Sequence, residues 1–137
     1  MNNVEKLLKT YENYKFQSNT YETPEFRTFC TKLKNAMNKD IKESYPDLEV
    51  KVWSRMHFDI AGFITRKSDG AIFYFTIRDV SCWNVATNLQ MYRSARHLKD
   101  FVGGANIWCE LKNLLGRIAR EPYEFVSTLR EVQLDET

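Results

Sequence analysis

At 137 residues the chain is long enough to bury a core without disulfides or metals, since a chain of about 150 residues hides roughly two-thirds of its unfolded surface. A formal net charge of +2 is too small to prove nucleic-acid binding, so any such claim must rest on how the charge is distributed. Three scattered cysteines, Cys30, Cys82 and Cys109, form no CxxC pair and point to reduced thiols, and no run of about 20 apolar residues offers a membrane span. The opening MNNVEKLLKTYENY lacks the apolar core of a signal peptide, so the expectation is one cytoplasmic domain over 1–137.

Residues 3–15 read as an amphipathic helix, with Val4, Leu7, Leu8, Tyr11 and Tyr14 on one side. Thr23-Pro24 opens a second helix, because threonine caps and proline suits the first helical position. Its buried stripe is Phe26, Phe29, Cys30, Leu33, Met37 and Ile41. Its polar stripe is Arg27, Thr31, Lys34, Asn38 and Lys42, and Tyr45-Pro46 ends it. Three strands follow: LEVKVWSR, FDIAGFITRK and AIFYFTIRDV, the last two joined by the turn Lys67-Ser68-Asp69-Gly70. Alternation puts Val50, Val52, Ile60, Ile64, Phe73 and Phe75 on the core face. Lys51, Trp53, Arg55, Phe63, Thr65, Tyr74, Thr76 and Arg78 take the other.

The spacing of Val85, Leu89, Tyr92, Ala95, Leu98 and Val102 then predicts a basic helix over 84–102, stopped by Gly103-Gly104. Residues 107–120, with Trp108, Leu111, Leu114, Leu115 and Ile118, predict another helix. Pro122 starts a short last one carrying Val126 and Leu129, and the tail at about 133–137 frays. The predicted order is α-α-β-β-β-α-α-α, an α+β fold in which helices flank a three-stranded antiparallel sheet.

Two surfaces qualify for recognition. The sheet face with Lys51, Trp53, Tyr74 and Arg78 interleaves rings and cations, as a platform for single-stranded nucleic acid does. The plain alternative is that helices cover it. The outward side of helix 84–102 carries Arg93, Arg96, His97 and Lys99, with a solvated charged face as its plain alternative. The helix–three strands–helix order matches a double-stranded RNA-binding domain in topology. The lysine- and alanine-rich start of that domain's second helix is missing, and Asn84-Val85-Ala86-Thr87 stands there instead.

A catalytic centre does not emerge. His57 and Asp59 lack the further ligands zinc requires. A helix followed by a three-stranded meander is similar to the core of the PD-(D/E)xK nucleases, with Asp59 as first carboxylate. Thr76-Ile77-Arg78 stands where Glu-x-Lys is needed, and Glu49-Val50-Lys51 comes too early. No glycine-rich phosphate loop occurs, and Cys82 and Cys109 have no activating base.

The residues Asp79-Val80, Arg93-Ser94-Ala95 and Lys99-Asp100-Phe101-Val102-Gly103-Gly104-Ala105-Asn106 resemble a pattern in small proteins of phages and mobile elements of Gram-positive bacteria. That pattern reads Asp-Val-Arg, Arg-Thr-Ala and Lys-Asp-Tyr-x-Gly-Gly-x-Asn. Here Ser81, Ser94 and Phe101 replace its arginine, threonine and tyrosine, and the match covers about a fifth of the chain. The resemblance implies an accessory protein that disables a host defence, as anti-CRISPR proteins do. The combined expectation is a non-catalytic protein without cofactor or metal. It would bind a host protein or nucleoprotein complex, such as a CRISPR effector, in the host cytoplasm. The residues expected at the contact are Arg93, Arg96, Lys99, His97, Arg78, Trp53, Tyr74 and Lys51. The alternative is direct binding of RNA or single-stranded DNA on the sheet face.

Overall fold

The computed structural model describes residues 1–12, 23–56, 59–78 and 89–125, with the backbone alone at 55 and 56. Helix α1 (Asn3–Thr10) is closed at its start by a capping box, Asn2 Oδ1 accepting from the Glu5 amide at 2.7 Å and Glu5 Oε1 from the Asn2 amide at 3.3 Å. Helix α2 (Pro24–Ser44) starts as its sequence predicts, with Thr23 Oγ1 accepting from the Phe26 amide. It ends at Tyr45, ahead of Pro46. The two helices run antiparallel: Asn3 sits beside Asp40 and Glu43, and the Tyr11 ring packs edge-on against Phe29 at 4.7 Å. Asp40 is buried, and its carboxylate accepts from the Asn3 and Val4 amides at 2.7 and 3.1 Å. These are donors that the first turn of α1 cannot satisfy internally.

The sheet is a five-stranded antiparallel meander in the order β1-β2-β3-β4-β5. The predicted strands are β1 (Leu48–Met56), β2 (Asp59–Arg66) and β3 (Ala71–Ile77), and Gly70 turns between the last two at φ 72°. The meander continues through β4 (Leu89–Ala95) and β5 (Ile107–Glu110). This corrects both the three-stranded sheet and the helix predicted over 84–102; residues 84–88 lie outside the described ones. In the strand the helical stripe is split between two faces: Gln90, Tyr92 and Ser94 point to one side, Met91, Arg93 and Ala95 to the other. Pairing of Ile72 with Ala95 through Thr76 with Met91 satisfies the backbone groups that β3 would otherwise leave bare. That non-local gain outweighs the small helix preference of Leu89–Ala95. Leu98 and Val102, predicted as core, are 37% and 77% exposed.

The helix predicted over 107–120 is likewise corrected. It becomes β5, a 3₁₀ turn (Leu111–Asn113) and helix α3 (Leu114–Arg120). Tyr123 is buried beyond it, while the last predicted helix past 125, the tail, and residues 13–15 of the first helix fall outside the described residues.

One core joins α1, α2, α3 and the inner sheet face. It includes Phe26, Phe29, Leu33, Ile64, Phe73 and Phe75, each at most 1% exposed and worth about 1.5–3 kcal/mol of burial. Register in β1 departs from simple alternation. Val50 pairs with Ile64, but Val52 pairs with Phe63 and Trp53 with Gly62, so a bulge lies at Lys51. Val52 is thereby turned to the outer face and Trp53 to the helix side, where its ring stands edge-on to Phe75 at 5.6 Å. Gly62 makes room for this, since a Cβ there would strike the Val52 carbonyl oxygen and come within 2.8 Å of the Phe75 ring.

Candidate functional site

The outer sheet face is built around Phe63, Tyr74 and Arg93, which are cross-strand neighbours in β2, β3 and β4. Phe63 is buried without belonging to the helix-side core. Tyr74 leans on Phe63 at 5.1 Å, and the Phe101 ring, from the loop between β4 and β5, covers both at 5.4 and 5.6 Å. Arg93 lies 4.8 Å over the Tyr74 ring and donates to the Phe101 carbonyl and to Asn106 Oδ1. Further along, Trp108 stands opposite Met91, and Leu89 opens β4 on the same face.

The loop 96–106 is held by Asp100, which is 2% exposed. Its carboxylate accepts from the Arg96 guanidinium at 2.8 and 3.1 Å and from the amides of Arg96, Val102 and Gly103. The Arg96 side chain first, then the Arg96 amide, holds this carboxyl well below the usual carboxylate range. Gly104 donates to the Ser94 carbonyl at 2.8 Å, and any Cβ at Gly103 would strike that same oxygen. Ser94 Oγ accepts from the Glu124 amide, Glu124 accepts from the Ala105 amide, and Tyr123 donates its hydroxyl to the Ala95 carbonyl at 2.5 Å. The Arg93–Ala95 and Asp100–Asn106 parts of the resemblance pattern thus form a clasp within one hairpin.

The expected contact residues therefore split. Arg93 and Arg96 are engaged within the hairpin, and His97 Nδ1 accepts from the Lys99 amide at 3.1 Å. Lys99 and His97 side chains are exposed on the same loop, so these four do come together, on a loop and strand rather than a helix face. Tyr74 belongs to the outer face, and exposed Arg78 follows β3. Lys51 sits at the bulge, 3.1 Å from Glu49. Trp53 is on the opposite face, beside a cleft of about 200 Å³ lined by Cys30, Thr31, Lys34, Trp53, Ser54 and Ile60. The predicted Trp53–Phe63–Tyr74 platform does not form, because the bulge removes Trp53 and Phe101 roofs Phe63. Sequence reading missed Leu89, Leu98, Phe101, Val102 and Trp108, all exposed. The available signal was Phe101-Val102 beside Gly103-Gly104, an apolar pair next to a glycine pair that breaks regular structure.

Among the described residues no group of three or more His, Cys, Asp and Glu is placed to hold a metal, and His57 lies outside them. Cys109 is buried, and burial pushes its thiol up. No helix among the described residues is long and apolar enough to cross a membrane. No protein-family model, curated protein or solved structure matches the chain.

Proposed function

We propose that the chain is a non-catalytic binding protein whose contact surface is the β4–β5 hairpin. The observation that carries this is the placement of exposed apolar side chains. Apart from Met1, every large one among the described residues lies between Leu89 and Trp108: Leu89, Leu98, Phe101, Val102 and Trp108. A concentrated apolar surface of this kind marks an interaction site, and aromatic rings beside cations are the side chains that dominate binding energy. The clasp at Asp100 supports the reading, because a pre-ordered loop loses less entropy on docking. The resemblance in Lys99–Asn106 supplies the partner class: a host nucleoprotein defence complex of the CRISPR-effector kind, met in the host cytoplasm and inhibited by occupation of a working surface.

The test is binding to a panel of guide-loaded effectors beside free guide RNA, with wild type and the double variant F101A/W108A. Both rings are about half exposed or more, so the variant should stay folded. The expected result is effector binding that weakens by about 10-fold or more in the variant. Wild type that binds no effector rejects the partner class. Tight binding to free RNA, unchanged in the variant, favours direct nucleic-acid recognition instead.

A further inference from the structure

We infer that the exposed ridge of α2 is a second binding surface, for the phosphate backbone of duplex nucleic acid. Its observations are independent of the hairpin, since α2 packs on the inner side of the sheet and the hairpin aromatics lie on the outer side. From Arg27 to Lys42 every exposed side chain is a cation, an amide or a hydroxyl. The one acid in that span, Asp40, is buried and turned onto the start of α1. Ordinary surface helices interleave acids with lysines at four-residue spacing. Here that pairing occurs only at the end, where Lys39 meets Glu43 at 3.9 Å. Arg27, Thr31, Lys34, Asn38 and Lys42 recur every three or four residues and so form one ridge. Arg27 and Lys42 have no ion-pair partner among the described residues. Lys34 rests 5.5 Å over the Trp53 ring, which leaves its charge available.

The chemistry of this ridge selects the occupant. Cations, hydroxyls and amides are the donors that contact phosphate and sugar. An anionic membrane surface would need an apolar face to insert, and the apolar face of α2 is committed to the core. A protein partner would call for aromatic or aliphatic anchors, and the exposed side chains of 27–42 include none. Single strands are gripped by stacking on successive exposed rings, and the Trp53 ring beside this ridge is half-buried and covered by Lys34. What remains is a rigid line of donors about 22 Å long, roughly two-thirds of a duplex turn. It would bind without sequence preference.

The probe is a fluorescent DNA duplex of about 20 base pairs and arbitrary sequence, titrated by anisotropy between about 50 and 200 mM salt. Three phosphate contacts from Arg27, Lys34 and Lys42 predict a log–log salt slope of about −2.7. R27Q/K34Q/K42Q should flatten the slope and weaken binding by about tenfold or more at the lowest salt. R27Q/K42Q, which spares the Trp53 contact, should show about two-thirds of the slope change of the triple variant. F101A/W108A should bind the duplex as wild type does, whatever its effect on a protein partner. Absence of duplex binding at low salt overturns the inference, as does an unchanged salt slope in the triple variant. Loss of duplex binding in F101A/W108A would move the site to the hairpin. Binding to anionic vesicles or polyglutamate without binding to the duplex would assign the ridge to another partner.

Discussion

Replacing Arg66 by methionine isolates one cation that ties α3 to the sheet. Arg66 is 6% exposed at the end of β2. Its guanidinium donates to the Ile118 and Glu121 carbonyls at 2.9 and 2.7 Å, reaches Asp69 at 2.7 Å, and lies over the Phe73 ring at 5.1 Å. The Ile118 and Glu121 carbonyls lie at the C-terminal end of α3, where the chain itself supplies Ile118 only a long bond of 3.4 Å from the Glu121 amide. Methionine keeps the stem and removes every donor. Asp69 is 44% exposed on its side chain, so its pairing adds little. The Ile118 bond is buried and its loss costs about 2 kcal/mol, while the Glu121 carbonyl, partly reached by water, adds about 1 kcal/mol. The expected loss is roughly 3 kcal/mol, or about 10 °C in Tm for a chain of this size. Urea unfolding followed by tryptophan fluorescence measures it directly. R66K should fall between, since one ammonium cannot span both carbonyls and Asp69. A loss under about 1 kcal/mol for R66M would show that these carbonyls are readily rehydrated and that Arg66 does not seat α3.

The inner face and the hairpin yield further tests. Gly62→Ala should cost about 2 kcal/mol or more, because the added methyl meets the Val52 carbonyl and the Phe75 ring; urea unfolding close to wild type would count against the bulge geometry. Burial first, and then the Glu121 carboxylate that accepts its proton at 2.6 Å, pushes the Tyr92 phenol up to about 12. A raised folded value means that the stabilisation is complete below the ordinary phenol value near 10 and fades as pH climbs through about 12. Burial also raises the Tyr123 phenol, so absorbance titration should show Tyr92 and Tyr123 titrating late, and Y92F should remove one of the two late steps. Asp100→Asn should speed tryptic cleavage after Arg96 and Lys99, and unchanged protection would refute the clasp. Because the Asp100 carboxyl is depressed, the order of the loop, read from the NMR shifts of the Val102 and Gly103 amides, should persist below the ordinary carboxylate range and fail only as pH falls through its lowered value.

The fold was legible where period and punctuation agreed. Thr23-Pro24 and Tyr45-Pro46 bracket a helix whose apolar stripe repeats at helical spacing, and β2 and β3 alternate around a glycine turn. The first lapse was at Lys51, where one extra residue reverses the faces of everything after it, and nothing in LEVKVWSR marks it. The second was β4, where Leu89, Tyr92 and Ala95 fit a helix stripe while pairing to β3 decides for a strand. Two buried charges were in fact readable. Asp40 follows Leu33 and Met37 at seven and three residues, and Arg66 falls on the same parity as Ile60, Gly62 and Ile64. Each took a core position and recruited backbone partners there.

The candidate surface was only half legible, and the clasp explains why. The Arg93-to-Asn106 residues of the pattern are mostly spent on holding a loop: Asp100 collects amides, Gly103 and Gly104 let the chain pass close to Ser94 and Glu124, and Asn106 accepts from Arg93. Such residues are constrained by backbone geometry and so make a recognisable sequence signature. Val102, 77% exposed, faces no such constraint from the fold, and Phe101 meets only the need for a ring that packs on Phe63 and Tyr74. The residues of this stretch that hold the loop report the scaffold, while partner choice rests on the side chains that the scaffold displays. Exchanging Phe101 and Val102 for other apolar residues should leave the tryptic protection of the loop intact and alter which partner binds. A variant of Asp100 should do the reverse of the first, loosening the loop while the same side chains remain present.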